Sequence, residues 1–486
     1  MKKCCFNVGG FIFFFLSLGS GLLFAQYPSQ NITMLSHWDT VKTISEPIYN
    51  IRYSSPWGWA NPSDNKEYAI LGSTDGTYFI EVTNPTAPKV RAFVPGRRDS
   101  CVWREYKTYQ KYLYAVSDDA VNAYNQNSLQ IIDMSGLPNS VSVVYDQDTL
   151  AQRTHSLFID ESNAKLYLNS VYLPNHGGHS NMAVCSLANP IAPTLLRMLE
   201  QDYPSNDNVH DCYVRNDTCY ASESNSGLFI YKLNSNNHLT EIGSLTSYPN
   251  QGYNHSSALT ANGKTLIFAD EVPVKLPVKS LDVSNLSNLT VLQEFKPTAS
   301  DTATPHNPFI RNGDNSHVVI AYYQSGVQIF DISNPSNIYR TGFFDTSPLN
   351  CPACPGWSQQ YSGCWGVYVD LPSKIILASD MQNGLFVLDA SAAMNVPVTT
   401  NEVSVDVFPN PFTNNFQLNF SFALPEKIMY ELADITGKIV LSRQLSTPSG
   451  KTQVTIDGKS FSTGTYILTV KSETLSLTKK IMKTNK

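Results

Sequence analysis

Val327-Gln328-Ile329-Phe330-Asp331-Ile332-Ser333-Asn334-Pro335 reads as a buried strand closed by a turn. The apolar run is short, Asn tolerates turn geometry, and Pro cannot continue a sheet ladder. The same phrase stands at Phe79-Ile80-Glu81-Val82-Thr83-Asn84-Pro85, with looser copies over residues 129–138, 182–190, 279–286 and 385–389. A strand-only unit repeated along a chain is the mark of radially stacked sheets, a β-propeller.

A second feature sets the phase. Trp57, Trp103, His155, His210, His255, His306 and Trp365 each stand just before a strand, at spacings of 46, 52, 55, 45, 51 and 59 residues. A four-stranded blade with modest loops takes roughly 40–50 residues, so the spacing predicts seven blades over residues 26–390. The seventh unit stops after its third strand. Residues 32–38 stand alone before the first unit, and the sequence predicts that they complete blade seven and close the ring without exposed edges.

The two ends differ from this middle. Residues 1–25 carry Lys2-Lys3, an apolar stretch from Phe11 to Leu18 and a small-residue site at Leu23-Phe24-Ala25. That is the pattern of a secretory signal peptide, too short for a stable membrane span. No other apolar run approaches spanning length, so no transmembrane segment is expected. After a polar linker at 391–401, residues 402–486 alternate over several short strands, which predicts a small β-sandwich. The expected fold class is all-β: a seven-bladed β-propeller followed by a small C-terminal β-sandwich.

Charge excludes some functions. The net charge of −6 over 486 residues comes without runs of either sign, which argues against nucleic acid, whose recognition wants a basic face. Export makes disulfides permissible. Cys212 and Cys219 flank a short polar turn and can pair across one hairpin if they come within bridging range. Cys351, Cys354 and Cys364 lie in the long insertion before blade seven. A loop-stapling bridge from Cys351 or Cys354 to Cys364 is the favoured reading, with zinc or redox chemistry of the CxxC pair as the other.

The histidines carry the candidate chemistry. The innermost strand of a propeller blade lines the central channel, so the seven markers are expected to form a ring at one mouth. His155, His210, His255 and His306 then sit together, and the acids Glu223, Asp270-Glu271, Asp380 and Asp118-Asp119 fall at the same face. Imidazole plus carboxylate is a ligand set for one transition-metal ion, here His155, His210, His255, His306 and Glu271. It serves equally as an acid/base cluster with Glu223 or Glu271 as base. It also serves as a polar network that fixes blade-to-blade packing.

Two resemblances add to this. Phe408-Pro409-Asn410-Pro411, the Asp434-Ile435-Thr436-Gly437-Lys438 turn, Gly464-Thr465-Tyr466 and the Lys-rich end make residues 402–486 similar to the C-terminal sorting domain of the Bacteroidetes type IX secretion system. That resemblance implies contact with the secretion machinery, passage through the periplasm, and release or attachment at the outer face of the cell. The propeller resembles the LVIVD-repeat proteins and, more closely, the choice-of-anchor B family. The stretches that carry this are Trp57-Gly58-Trp59, Trp103-Arg104-Glu105-Tyr106-Lys107, His210-Asp211, Gly252-Tyr253-Asn254-His255, Asp270-Glu271, His306-Asn307 and Trp365-Gly366-Val367-Tyr368. It implies surface placement and brings no reaction with it. Asn254, Ser256-Ser257 and Pro305 depart from the family pattern beside the ring.

No nucleophile–base motif, phosphate loop or cofactor signature appears. The expected protein is a non-enzymatic, exported scaffold that binds an extracellular ligand or macromolecule at the histidine-bearing face. The alternatives are a metal-dependent hydrolase or lyase, and a structural or adhesive surface protein.

Overall fold

The computed structural model describes residues 27–46, 50–97, 100–118, 129–348, 360–394, 404–422, 426–447, 450–471 and 476–485. The signal segment 1–25, Asp119, Cys351 and Cys354 lie outside the described residues.

Among the described residues, seven antiparallel sheets follow one another along the chain up to Met394. Blade one is Tyr53–Ala60, Glu67–Ser73, Gly76–Glu81 and Lys89–Pro95; blades two to five repeat this order of inner to outer strands. Blade six runs from Pro308–Phe309 to Tyr339–Phe344, and Ser29–Gln30 adds a further strand on its outer edge. Blade seven is Cys364–Tyr368, Ile376–Asp380 and Gly384–Asp389 with Thr33–Trp38 as its outer strand. The N-terminal segment therefore ties the last two blades together and closes the ring.

The repeated phrase is explained by its side chains. In blade six Asp331 Oδ1 accepts from the Ser333 backbone N–H at 2.8 Å and from its hydroxyl at 2.5 Å. Asn334 Oδ1 then accepts from Ser336 N–H at 3.2 Å. Asp133–Ser135 and Asp282–Ser284 make the same Asx turn. Each side chain satisfies backbone donors that the ended strand leaves over.

Glycine opens the third strand for a steric reason. Gly227, Gly326 and Gly384 have φ of 102°, 69° and 90°. A Cβ on them would lie 2.4, 2.2 and 2.5 Å from the carbonyl oxygens of Leu245, Phe344 and Trp38 on the adjacent outer strands. Only glycine fits both demands.

Apolar side chains fill the space between neighbouring blades rather than one central core. Ile131, Leu157, Leu166, Leu168 and Ala183 pack between blades two and three, and Val319, Ile329, Val367, Ile376 and Phe386 between six and seven. The axis is thus left to polar and aromatic groups. The start of the expected linker, Ser391–Met394, is a helical turn whose Ala393 is wholly buried in the core between blades six and seven.

The C-terminal unit begins at Asn395. It pairs a three-stranded sheet (Ser404–Phe408, Asn415–Phe422, Gly450–Asp457) with a four-stranded one (Ile439–Thr447, Glu426–Asp434, Gly464–Lys471, Ser476–Lys483). Phe412, Phe416, Leu418, Ile428, Leu432, Leu468, Val470 and Ile481 form its core.

Candidate functional site

In blades five and seven a bulge at the start of the innermost strand aims the ring residue at the axis. In blade five the register jumps between Asn254 and Ser256, and in blade seven between Cys364 and Gly366. The extra residues are His255 and Trp365. Such bulges re-aim a side chain out of the ladder. In blade one the jump falls between Tyr53 and Pro56, so Ser54 and Ser55 hold the ring position and Trp57 does not. Trp57 sits lower in the channel, against Tyr368 and Phe309 at 4.7 and 6.1 Å between ring centroids. Trp57 therefore lies further along its strand than the ring position.

The remaining markers do meet. The imidazoles of His155, His210, His255 and His306 form one continuous arc of mutually tilted rings, with centroid separations of 4.1, 4.1 and 4.5 Å. Trp365 continues it at 4.4 Å from His306. Glu105 completes the circle: its Oε1 accepts from Ser55 Oγ at 2.5 Å and from Trp365 Nε1 at 3.2 Å. Sequence reading had Glu105 only as part of a matching stretch. The alternation of its strand, Arg104–Tyr109, places it on the channel side.

This layer divides the channel. On one side lies a cavity of about 240 Å³ lined by the four histidines with Trp103, Glu271, Tyr323, Tyr361, Trp365 and Met381. On the other side the same histidines and Trp365 roof a cavity of about 450 Å³, whose walls include Trp57, Lys107, Phe158, Asp211, Tyr213 and Tyr368.

Hydrogen bonds assign the tautomers of the arc. A carbonyl oxygen can only accept, so a ring nitrogen against one must carry the proton. His306 Nδ1 donates to the Trp365 carbonyl at 2.5 Å, and His210 Nδ1 to the His255 carbonyl at 3.2 Å. His255 Nδ1 lies 2.9 Å from Ser256 Oγ, whose own proton goes to the His306 carbonyl at 2.7 Å. That hydroxyl is left to accept from His255. In all three rings Nδ1 holds the proton and Nε2 holds the lone pair.

His155 is different. Its Nδ1 is 2.6 Å from Asp118 Oδ2. Burial opposes its charge, but Asp118 outweighs it with help from Glu105 and Asp211, and the imidazole is pushed up to about 9. Burial and the neighbouring imidazoles, His155 and His306 among them, hold His210 and His255 well below the usual histidine range. Burial lowers His306 as well. At neutral pH the arc is one cation followed by three neutral rings.

The acids separate by role. Glu271 lines the smaller cavity; Tyr323 donates its hydroxyl to Oε1 at 2.6 Å, and Oε2 stands 3.7 Å from His255 Nε2. Among the described residues, His210, His255 and Glu271 form a set whose ligand atoms all lie within 4.8 Å of one another. His155 and His306 fall outside that set, so the four imidazoles do not share one point. Glu223 lines neither cavity. It is wholly buried in blade four, accepting from Tyr231 Oη at 2.5 Å and Asn206 Nδ2 at 3.3 Å, and this position removes it as a base for chemistry at the ring. Asp270 and Asp380 are buried in networks of their own.

The cysteine pairing expected in blade four is not made. The register sets Val214 opposite Cys219 and Ala221 opposite Cys212, so the two thiols are diagonal neighbours on one face, both buried and free. Cys364 is likewise a free, buried thiol.

The comparisons with known proteins bear on blade six and on the C-terminal unit. Residues 406–484 match the secretion system C-terminal sorting domain, and residues 317–346 match the LVIVD repeat. The chain carries an LVIVD repeat and a type IX sorting domain. Export to the cell surface follows from the sorting domain. Among the described residues no helix is long and apolar enough to cross a membrane.

No curated protein matches the chain. Solved structures similar to it include a Lactobacillus plantarum protein (14% identity, 79% of this chain and 96% of that one, TM-score 0.45). Another is PorZ of Porphyromonas gingivalis, an essential surface component of the type IX secretion system (11%, 90% and 60%, 0.43). A third is the periplasmic gluconolactonase PpgL of Pseudomonas aeruginosa (9%, 79% and 96%, 0.48). At these identities and scores none of them carries an argument about ligand or reaction.

Proposed function

We propose that this LVIVD-repeat propeller is a surface-displayed binding protein whose ligand site is the smaller of the two axial cavities lined by the histidine arc. One observation supports the reading above the rest. Three neutral imidazoles have Nδ1 fixed by carbonyl or hydroxyl partners, which turns three Nε2 lone pairs toward the channel. Rings held this way are pre-organised acceptors, and preorganisation is what lets a small interface bind. A purely structural network would need only the Nδ1 bonds.

The volume of about 240 Å³ lies below the roughly 300–1,000 Å³ of drug-sized sites. The ligand is therefore small, carrying hydrogen-bond donors or positive charge toward the imidazoles and apolar surface toward Trp103, Tyr361 and Trp365. The sorting domain delivers the site to the cell exterior.

The test is ligand-observed NMR of the mature protein against a panel of small amines, amino acids, carboxylic acids and monosaccharides. Met381→Trp, which fills the cavity from its wall, is the comparison. Hits that vanish in Met381→Trp support the reading. No hits, or hits unchanged by the filled cavity, overturn it.

A further inference from the structure

We infer that His210, His255 and Glu271 form a site for one divalent first-row transition-metal ion, with an open coordination position facing the smaller cavity. The inference rests on the reading that this cavity is the binding site, and it names the first thing bound there.

The contact between His255 and Glu271 carries it. His255 Nε2 is 3.7 Å from Glu271 Oε2. Because Nδ1 of that ring carries the proton, Nε2 presents a lone pair, and a carboxylate oxygen presents only lone pairs. Two acceptors facing one another across 3.7 Å repel unless a cation stands between them. Ligand atoms at about 2.0–2.2 Å from a tetrahedral ion are roughly 3.4 Å apart, close to the spacing found. His210 brings the third atom, all three lying within 4.8 Å of one another.

The surrounding groups are those a metal site needs. A ligating histidine donates its other N–H to a fixed acceptor, and a ligating carboxylate is hydrogen-bonded in turn. His210 Nδ1 has the His255 carbonyl, His255 Nδ1 has Ser256 Oγ, and Glu271 Oε1 has the Tyr323 hydroxyl at 2.6 Å. His210, His255, Ser256, Glu271 and Tyr323 are all buried or partly buried. Two imidazoles and one carboxylate suit zinc, cobalt, iron or copper better than calcium or magnesium, which take oxygen ligands. Three protein ligands leave a position open, and here it opens on the cavity that Trp103, Tyr361 and Trp365 wall. His155, tied to Asp118, and His306, tied to the Trp365 carbonyl, stand beside the ion without joining it.

The experiment titrates Zn²⁺ and Co²⁺ into the mature full-length protein, produced without a polyhistidine tag and freed of metal by dialysis against chelator. Calorimetry gives stoichiometry and affinity, and the Co²⁺ visible spectrum reports coordination. Expected is one ion per chain with an intense d–d band of low coordination number. Glu271→Gln, which keeps the shape, should weaken binding by about 100-fold or more, and Tyr323→Phe by about 10-fold through the lost hydrogen bond to Glu271 Oε1. The surface variant His238→Ala should bind like the parent. No binding, or binding unchanged in both Glu271→Gln and Tyr323→Phe, overturns the site. Tyr323→Phe reads the site even if Glu271→Gln fails to fold. The NMR panel run on metal-free protein separates the two readings: cavity hits without metal binding overturn the ion alone, and absence of both overturns the cavity as well.

Discussion

Lys279 Nζ lies 2.9 Å from Asp270 Oδ2, with both side chains completely withdrawn from solvent. Asp270 also accepts from Tyr248 Oη at 3.0 Å, Asn254 Nδ2 at 3.2 Å and Gly252 N–H at 3.1 Å. Asn254 precedes His255, and Asp270 precedes Glu271. The buried pair therefore fixes the two backbone segments that bring His255 and Glu271 together.

Lys279→Met removes the cation and leaves a buried carboxylate among neutral donors. Breaking a buried pair from one side costs about 3–5 kcal/mol, so urea unfolding should show a loss of that size. The double variant Lys279→Met/Asp270→Leu should not recover it, because the Tyr248 hydroxyl, the Asn254 amide and the Gly252 N–H would lose their acceptor. Full recovery in the double variant would show that the pair is dispensable.

Gly326→Ala tests the steric account of the third strand. The substituted Cβ would lie 2.2 Å from the Phe344 carbonyl oxygen at a φ of 69°. The left-handed conformation alone costs about 1–2 kcal/mol for an L side chain, and the clash adds to it. Gly313→Ala, at φ 84° with nothing within 4 Å, pays only the first part. Equal losses in the two variants, read by thermal unfolding, would contradict the clash.

Much of this architecture was legible because strand, turn and spacing are local signals. Asp331, Ser333 and Asn334 announce their own turn, and the histidine spacing announces the blades. What escaped depended on register. Trp57 looked like Trp103 or Trp365 in sequence, but the bulge of blade one falls at Ser54 and Ser55, and a displacement along a strand carries a side chain away from the ring. Glu223 ends its second strand and Glu271 directly follows the end of its own, yet Tyr231 and Asn206 hold one in the blade while Tyr323 holds the other at the cavity. No spacing rule separates those two fates. The tautomers of the arc escaped for another reason: they depend on carbonyls of the next blade, at Trp365 and His255.

Glu223 gives the pH dependence its sign. Burial pushes its carboxyl up to about 7, against hydrogen bonds from Tyr231 and Asn206 that lower it. A folded value raised above the unfolded one, about 4.3, contributes stability that is complete below that unfolded value and is lost as pH rises through 7. Burial raises Asp380 to about 6 in the same sense. Glu223→Gln, which imitates the protonated acid, should flatten the decline between pH 4.5 and 7. It should leave the variant more stable than the parent at pH 8, by up to about 3 kcal/mol on the scale of 1.36 kcal/mol per unit. Parallel curves for parent and variant across that range would remove Glu223 as a cause.

In the sorting domain Lys483 Nζ is buried and donates to the carbonyls of Gly458 at 2.5 Å, Lys459 at 3.2 Å and Phe461 at 2.6 Å. The last strand, Ser476–Lys483, is held along Gly464–Lys471, and this ammonium pins its end to the turn that follows Gly450–Asp457 on the other sheet. An ammonium has three protons, and all three are used. Lys483→Met leaves the buried Gly458 carbonyl unpaired, at about 1–3 kcal/mol, and removes the part-buried bonds to Lys459 and Phe461 as well, which a sandwich of this size has little stability to absorb. Lys480→Met, on the same strand with its side chain exposed, strands none. Fractionation of cells should find the Lys483→Met protein retained in the periplasm or degraded, with the Lys480→Met protein at the surface as the parent is. Equal surface display of the two would show that export reads the strand's sequence and not the fold that Lys483 secures.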